Sequence, residues 1–569
     1  MTALRRGGSR AFAQRTSGGR VRPSWRRLVA FAVALIGLAT VAPSGADPLT
    51  ASAGEAIYRR GTLASGLPLE GVRSDENLRT TGSDAACVNC HQRSGLGATE
   101  GQTRIPPVAG MYLFHPVDKR TGEFALPYVQ GVRQNRQPYT DASLARAIRE
   151  GVDADGAPLG YLMPRFAISD ADMASLIDYL KSLDAHPVPG VTDSVLHFAT
   201  VFTPDVDPRR RQAVLDVIEA FFADKNRFQY APRNKLQGSV HTMYANSMFR
   251  ASRRWELHVW DLKGAPGTWK AQLAGHLAQE PIYAVVSGLG GNNWRPVHDF
   301  CEEQALPCLF PNVDAPVDAA DDFYTVYLSK GVGLEAELIA AKLSEKGGGL
   351  SGVHQVYRVG DSGEQAALAL SDALRRQGVA VHAHPIASGA PASVVARRVR
   401  EAAGASVLVL WLRPADLVAL GDPPAGDPQV YLSGLMGGLE AAPLPPAWRR
   451  LVHMTYPFEL PDKRVVRVDF ARGWFNIRHI PVVDERLQVD TYLACGLLAE
   501  TVSHLADTFV RPYLIEQLQA GIEHRIITGY YPHLTLATHQ HFASKGAYFV
   551  RFQAPAGQRV AAESDWIVP

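Results

Sequence analysis

Apolar positions follow one rhythm up to about residue 184 and a different one beyond residue 190. In the first stretch they recur at helical spacing in short amphipathic segments separated by loops. Ser169 with Asp172 reads as a capping box in its weaker Asp form. Met173, Leu176, Ile177, Leu180 and Leu183 then make one apolar helical stripe. A second helix is predicted over Asp141–Glu150, with Leu144, Ala147 and Ile148 on one face and Gly151 as its stop. A shorter amphipathic piece covers Gly54–Gly61.

The prolines and glycine of 184–190 interrupt both helix and sheet and read as a linker. After it, short apolar runs alternate with helical stretches. Strands are predicted over Leu196–Phe202, Ile282–Val286, Val353–Val359, Val379–His382, Ser406–Trp411 and Gln429–Ser433, with helices such as Leu334–Ser344 and Gly363–Gln377 between them. Asp207 caps a helix with Pro208 at its first position, its buried face made by Val214, Val217, Ile218 and Phe221. Strands spaced by helices predict parallel, doubly wound sheets. The chain therefore divides into an all-α domain over 54–184, a linker at 185–194 and an α/β domain over 195–569.

The N-terminus changes the picture of where the protein works. Eight arginines between Arg5 and Arg27, without any acid, precede the apolar run Leu28–Val41, and Ser44-Gly45-Ala46 offers small residues for cleavage. This is the pattern of a secretory signal over 1–46. The run is too short for a membrane span, which needs about 20 residues, and no later apolar run reaches spanning length. About 520 residues remain, room for two to four domains. With 46% hydrophobic and 20% charged residues and a net charge of +2, the composition is globular and gives no argument for nucleic acid.

The strongest chemical signal is Cys87-Val88-Asn89-Cys90-His91. Two cysteines at this spacing with a histidine directly after them form the attachment signature for one covalent haem c. The thiols make thioethers to the vinyl groups and the imidazole binds iron. A zinc half-site would need a second ligand pair, and none follows at a suitable distance. A redox dithiol would not require the histidine. For the sixth ligand, Met111, Met163 and Met173 are the methionines of this region. Met173 belongs to the helical stripe, and Met111 lies among bulky apolar residues. Met163 stands in an irregular stretch closed by Pro164, 163 − 91 = 72 residues after the histidine, and is the expected partner.

These pieces resemble class I cytochrome c domains: the first helix with Tyr58, the Cys87–His91 motif, Pro106-Pro107, Gly160-Tyr161-Leu162-Met163-Pro164, and the last helix with Tyr179-Leu180. The resemblance implies that the carbonyl of Pro106 or Pro107 accepts a hydrogen bond from the proximal histidine. The segment Thr62–Ala86, between first helix and motif, departs from that pattern by its length.

In doubly wound sheets, ligands bind beyond the carboxyl ends of the strands. Ser287–Trp294 and Gly360-Asp361-Ser362-Gly363 are loops of that kind, and the second opens a helix whose free N–H groups suit an anion. Neither matches a Walker loop or a dinucleotide fingerprint. The order of elements resembles the type I periplasmic binding proteins, solute receptors of branched-chain amino acid ABC transporters. Matching features include Leu306-Pro307-Cys308-Leu309-Phe310-Pro311 and Asp490-Thr491-Tyr492. Two lobes with a cleft between them would follow, with Ser287, Asn292, Asp314, Ser362 and Trp411 as candidate cleft residues, Trp411 alternatively packing in the core. Asn292 and Asp314 stand where amino-acid receptors tend to present Ser and Thr, so an amino-acid ligand does not carry over.

The whole arrangement resembles bacterial fusions of cytochrome c with a substrate-binding protein, found beside quinoprotein alcohol oxidation systems. That implies a periplasmic one-electron carrier whose redox partner is a quinoprotein dehydrogenase or another cytochrome, with a small-molecule solute of unknown identity. A solute receptor or sensor with haem as a redox element is the alternative. A haem enzyme such as a peroxidase is disfavoured by Met163 on the distal side.

Three other cysteines remain. Cys301 and Cys308 are close enough in sequence for a local disulfide in an oxidising compartment, and Cys495 reads as a buried thiol. His533, His539 and His541 read as solvated or satisfied histidines rather than ligands.

Overall fold

Ser52 accepts the Glu55 N–H at 3.1 Å and starts α1, Ala53–Arg60, which Gly61 ends at φ 61°. Four further helices follow: α2 (Val88–His91), α3 (Gly110–Phe114), α4 (Asp141–Glu150) and α5 (Asp170–Ser182). The Ser169 hydroxyl caps α5 by accepting the Asp172 N–H at 3.1 Å, the forward half of the expected capping box, while the Asp172 carboxylate accepts instead from the Ser169 hydroxyl and the Ala64 N–H. A Cβ on Gly54 would lie 2.0 Å from the Ser175 carbonyl oxygen, so α1 and α5 cross at a contact only glycine permits. The computed structural model describes residues 52–73, 78–100, 103–115, 136–183, 188–228, 253–345, 352–402, 406–423, 428–505, 508–525, 529–538, 540–554 and 557–569. The expected export signal, residues 184–187 of the expected linker, and His539 lie outside them.

This first part is not all-α. Residues 62–86 contain β1 (Glu70–Arg73) and β2 (Leu78–Thr81), paired antiparallel. A small hairpin joins β3 (Ala98–Glu100) to β4 (Thr103–Ile105), and β5 (Arg165–Ala167) pairs with the free side of β1. These strands bury too little to impose an apolar alternation; β2 leaves Leu78, Arg79 and Thr81 exposed. A helical reading of the region therefore passes over them.

Beyond residue 190 the expected α/β pattern holds. Asp207 accepts the N–H groups of Arg209 and Arg210 at 2.7 and 3.1 Å, heading α6 (Pro208–Phe228). One sheet is wholly parallel. It contains β6 (Val195–Phe202), β7 (Arg254–Asp261), β8 (Ala284–Val286), β9 (Cys308–Leu309), β10 (Thr325–Ser329) and a late strand, Phe542–Ser544, in the order late strand-β10-β9-β8-β6-β7. The second sheet contains β11 (Val353–Arg358), β12 (Val381–Ile386), β13 (Val407–Trp411), β14 (Gln429–Leu432) and β15 (Val452–Tyr456), ordered β12-β11-β13-β14-β15 and all parallel. The strands Tyr548–Phe552 and Val560–Ala562 extend it antiparallel. The chain passes to the second sheet after β10, returns to the first for Phe542–Ser544, and passes over again to Tyr548. Each sheet with its helices makes one lobe.

The cytochrome-like part is not tethered at a distance. Leu96, Ala109 and Tyr112 are buried in the same apolar core as Leu196, Phe198 and Tyr283 of the first lobe. Residues 52–569 form one compact unit. No helix among the described residues is long and apolar enough to cross a membrane.

Cys301, on the helix Arg295–Glu303, and Cys308, on β9, are buried and meet as a hydrogen-bonded thiol pair. Both are free thiols here rather than a disulfide. Cys495 is buried, His533 is exposed and His541 is buried.

Candidate functional site

The short helix α2 gathers Cys87 at its N-cap, Cys90 in its turn and His91 at its end. His91 is buried, and its Nδ1 lies 3.0 Å from the Pro106 carbonyl oxygen. That carbonyl accepts a hydrogen bond from Nδ1–H, which fixes the ring orientation and leaves Nε2 with its lone pair free to bind a metal. Burial holds His91 below its ordinary pKa, against the pull of the Pro106 hydrogen bond, so the imidazole is neutral, the form that binds metal. Pro107 provides no such contact among the described hydrogen bonds of His91.

The loop after the helix is built around this histidine. Gln92 takes a left-handed conformation (φ 62°), and its carbonyl accepts the Tyr58 hydroxyl proton at 2.7 Å. Gly97, at φ 76°, lets the backbone pass so close to Ile105 that a Cβ would lie 2.1 Å from its carbonyl oxygen. This contact brings the Pro106 carbonyl to His91.

The residues fit a covalently held haem better than a thiolate site. Burial pushes the Cys87 thiol up to about 12, which disfavours the thiolate that zinc or dithiol chemistry needs. Cys87, Val88, Leu63, Val108, Leu159 and Met163 are half-buried around the apolar core of Ile57, Leu144 and Leu176, offering an apolar lining. Met163 lies in a turn whose N–H bonds the Gly160 carbonyl at 3.1 Å, and its own carbonyl accepts from Arg165. Its neighbours Tyr161 and Leu162 are 60% and 38% exposed, so the methionine segment borders solvent. Met173 is buried in the core stripe and Met111 packs toward the first lobe.

A second site lies between the lobes, in a cleft of about 440 Å³. The first lobe supplies Asp205, Asp207, Gly291, Asn292 and Asp314; the second supplies Arg358, Asp361, Ser388 and Arg413. Arg413 spans it, reaching Asp314 at 2.7 Å on one side and Asp361 at 2.6 Å on the other. Burial pushes the Asp314 carboxyl up, but Arg413, Arg486 and Arg210 outweigh it and hold it below the ordinary carboxylate range.

Of the expected cleft residues, Asn292 and Asp314 line this space; Ser287, Ser362 and Trp411 do not. Ser287 is buried at φ 53°, where its hydroxyl accepts from Asn312 at 2.9 Å. Ser362 is buried behind Asp361. The Asp361 carboxylate caps the Ser362 N–H at 2.7 Å, so the chain's own acid occupies the helix start expected to suit an anion. Trp411 is fully buried in the second lobe's core, its indole N–H on Gln355 at 2.8 Å, because the end of β13 faces helix rather than cleft. Sequence reasoning missed Arg413. Its signal is position: a charge two residues after the wholly buried strand Val407–Trp411.

Residues 81–184 match the family model described as cytochrome c. No curated protein matches the chain. Similar solved structures include a fatty acid ABC transporter substrate-binding protein from Thermomonospora curvata, 16% identical, covering 67% of this chain and 94% of that one at a TM-score of 0.48. A branched chain amino acid ABC transporter from Thermus thermophilus with bound valine is 11% identical, with 67% and 98% covered and a TM-score of 0.47. A solute binding protein of R. palustris in complex with benzoate is 13% identical, with 66% and 98% covered and a TM-score of 0.47. Residues 81–184, with Cys87–His91 near their start, are thus similar to cytochrome c, on a chain whose larger part has structural matches among ABC transporter substrate-binding proteins.

Proposed function

We propose that the protein is an exported, periplasmic monohaem c-type cytochrome that passes single electrons and couples this to a binding cleft. The cytochrome domain would span 54–184, with a linker at 185–194 and the two lobes over 195–569, after removal of 1–46. Cys87 and Cys90 would hold the haem, His91 and Met163 its iron. Bound there, the haem supplies a one-electron iron couple. The chain supplies the rest: the Pro106 carbonyl keeps the Nδ1 proton in place, Tyr58 fixes the loop carbonyl of Gln92, and the half-buried apolar lining limits water.

The observation that carries this reading is the buried His91, directly after two cysteines on one helical turn, with Nδ1 on a proline carbonyl. With both axial positions filled the site would transfer electrons and activate no substrate, so the protein is read as a carrier and not an enzyme. The redox partner would be a quinoprotein dehydrogenase or another cytochrome. Optical spectra test it: a low-spin reduced spectrum and a methionine–iron charge-transfer band in the oxidised protein, the band lost in Met163→Ala. A high-spin resting spectrum with rapid peroxide turnover overturns it.

The Arg413 bridge across the cleft favours a second role, a solute or partner sensor whose lobes open and close. Mass spectrometry of small molecules retained on purification tests that role; an empty cleft stabilised by no solute counts against it.

A further inference from the structure

Glu256 and His258 stand two apart on β7, and His197 lies opposite Glu256 on the adjacent parallel strand β6. Side chains alternate along a strand, so Glu256 and His258 leave the same face of the sheet as His197. One donor atom from each of the three lies within 4.8 Å of the other two. His197 Nδ1 is 3.0 Å from His258 Nε2. Two imidazole nitrogens on one tetrahedral zinc, each at about 2.0–2.1 Å, stand roughly 3.3 Å apart, close to that separation.

The surroundings are also those of a metal ligand set. The other nitrogen of His258, Nδ1, lies 3.4 Å from Glu280 Oε2, and that carboxylate accepts the Trp260 indole N–H at 2.9 Å. A carboxylate behind a ligating histidine fixes the tautomer and presents the opposite nitrogen to the ion. Glu256 Oε2 accepts from the Arg254 guanidinium at 2.6 Å, which orients the carboxylate. All three side chains are half-buried, so an ion reaches them from solvent.

The other clusters differ. In the group His298, Glu302 and Asp322, the histidine is spent on the Tyr327 hydroxyl at 2.9 Å and on Asp322 at 3.0 Å. Glu302 there accepts the backbone N–H groups of Phe323, Tyr324 and Thr325. His354 and His384 are 3.0 Å apart on β11 and β12, but no carboxylate joins them in a three-ligand group among the described residues.

We propose that His197, Glu256 and His258 form a binding site for a divalent transition metal of the zinc type, with Glu280 positioning His258. Two imidazoles and a carboxylate suit zinc and leave a fourth position for water. The test is calorimetric titration of the untagged, haem-loaded, chelator-treated chain with zinc chloride, with metal analysis after dialysis. Wild type should take up one zinc per chain through this site. His197→Gln and Glu256→Gln should weaken uptake at least about 10-fold, and Glu280→Gln by about 10- to 100-fold. His384→Gln should bind as wild type does. Unchanged haem spectra and melting curves show that each variant is folded. No saturable uptake by wild type, or equal uptake by folded His197→Gln and Glu256→Gln, overturns the proposal.

Discussion

Ser94, three residues after His91, gives both its N–H and its hydroxyl to the two oxygens of Glu516, at 2.8 and 2.5 Å. Glu516 lies on the helix Arg511–Gly521 of the first lobe, and the pair is buried. Beside it the Arg93 guanidinium stacks over the Phe323 ring at 4.5 Å. The loop that carries the proposed iron ligand is thereby fastened to the first lobe. A hinge of the linker alone would not move the cytochrome domain away from it.

Glu516→Ala should loosen this fastening. It leaves the Ser94 N–H and hydroxyl without acceptors in a buried interface, at a cost of about 1–3 kcal/mol. Glu516→Gln keeps one acceptor and should cost less. Denaturant unfolding followed by haem absorbance measures both. An alanine variant as stable as wild type contradicts the bond's part in docking.

How far the sequence revealed this depends on whether a feature is local. The cap of α5, the Asp207 start of α6 and the Cys87–His91 turn are set by neighbours in the chain, and all are legible in it. The Ser94–Glu516 bond joins residues 422 apart in sequence, and nothing near either one announces the other. The sequence leaves Trp411 between cleft and core for a related reason. A strand's end predicts a place near the cleft, but which way its last side chain points depends on the helix packed against it. The strands β1, β2 and β5 were hidden because their residues are polar and their pairing partners distant.

Asp314 and Arg413 make a bond between the lobes, whereas Asp361 and Arg413 make one within the second lobe. Asp314→Asn should therefore favour an open cleft, and Asp361→Asn should do so less. Arg413 is one-third exposed, so the bias is modest, about 1 kcal/mol or less. Small-angle scattering should show a larger radius of gyration for Asp314→Asn, with the cytochrome spectrum unchanged. Identical scattering profiles for the two variants contradict a latch.

Gly54→Ala tests the helix crossing. The added Cβ would stand 2.0 Å from the Ser175 carbonyl oxygen, so α1 and α5 must separate. Overpacking of this kind costs about 1–3 kcal/mol. A lower thermal midpoint is expected, whereas Gly66→Ala, at a position with open space around it, should lose only the smaller cost of its left-handed backbone at φ 83°.

The pH dependence of stability should carry a mark from Glu335, which is fully buried at the start of the helix Val332–Ser344. Its Oε1 accepts from the Leu435 N–H at 3.0 Å and the Thr455 hydroxyl at 2.8 Å, and Oε2 accepts from the Ser433 hydroxyl. Burial pushes its carboxyl up from an ordinary 4.5 to about 7, outweighing those hydrogen bonds. The folded state thus binds this proton more tightly than the unfolded chain does. Its contribution to stability is full below the ordinary value and is lost as pH rises through the folded one, by up to about 3 kcal/mol between pH 4.5 and 7. Glu335→Gln keeps the shape and the neutral charge at every pH; its carbonyl replaces Oε1, and its amide donates to Ser433 as a protonated acid would. Urea unfolding of both proteins across that range should show the variant gaining on wild type as pH rises. The difference isolates this residue from Asp490 and Glu516, whose carboxyls are also pushed up to about 7. Parallel stability curves would mean that Glu335 titrates in the folded protein where it does in the unfolded chain.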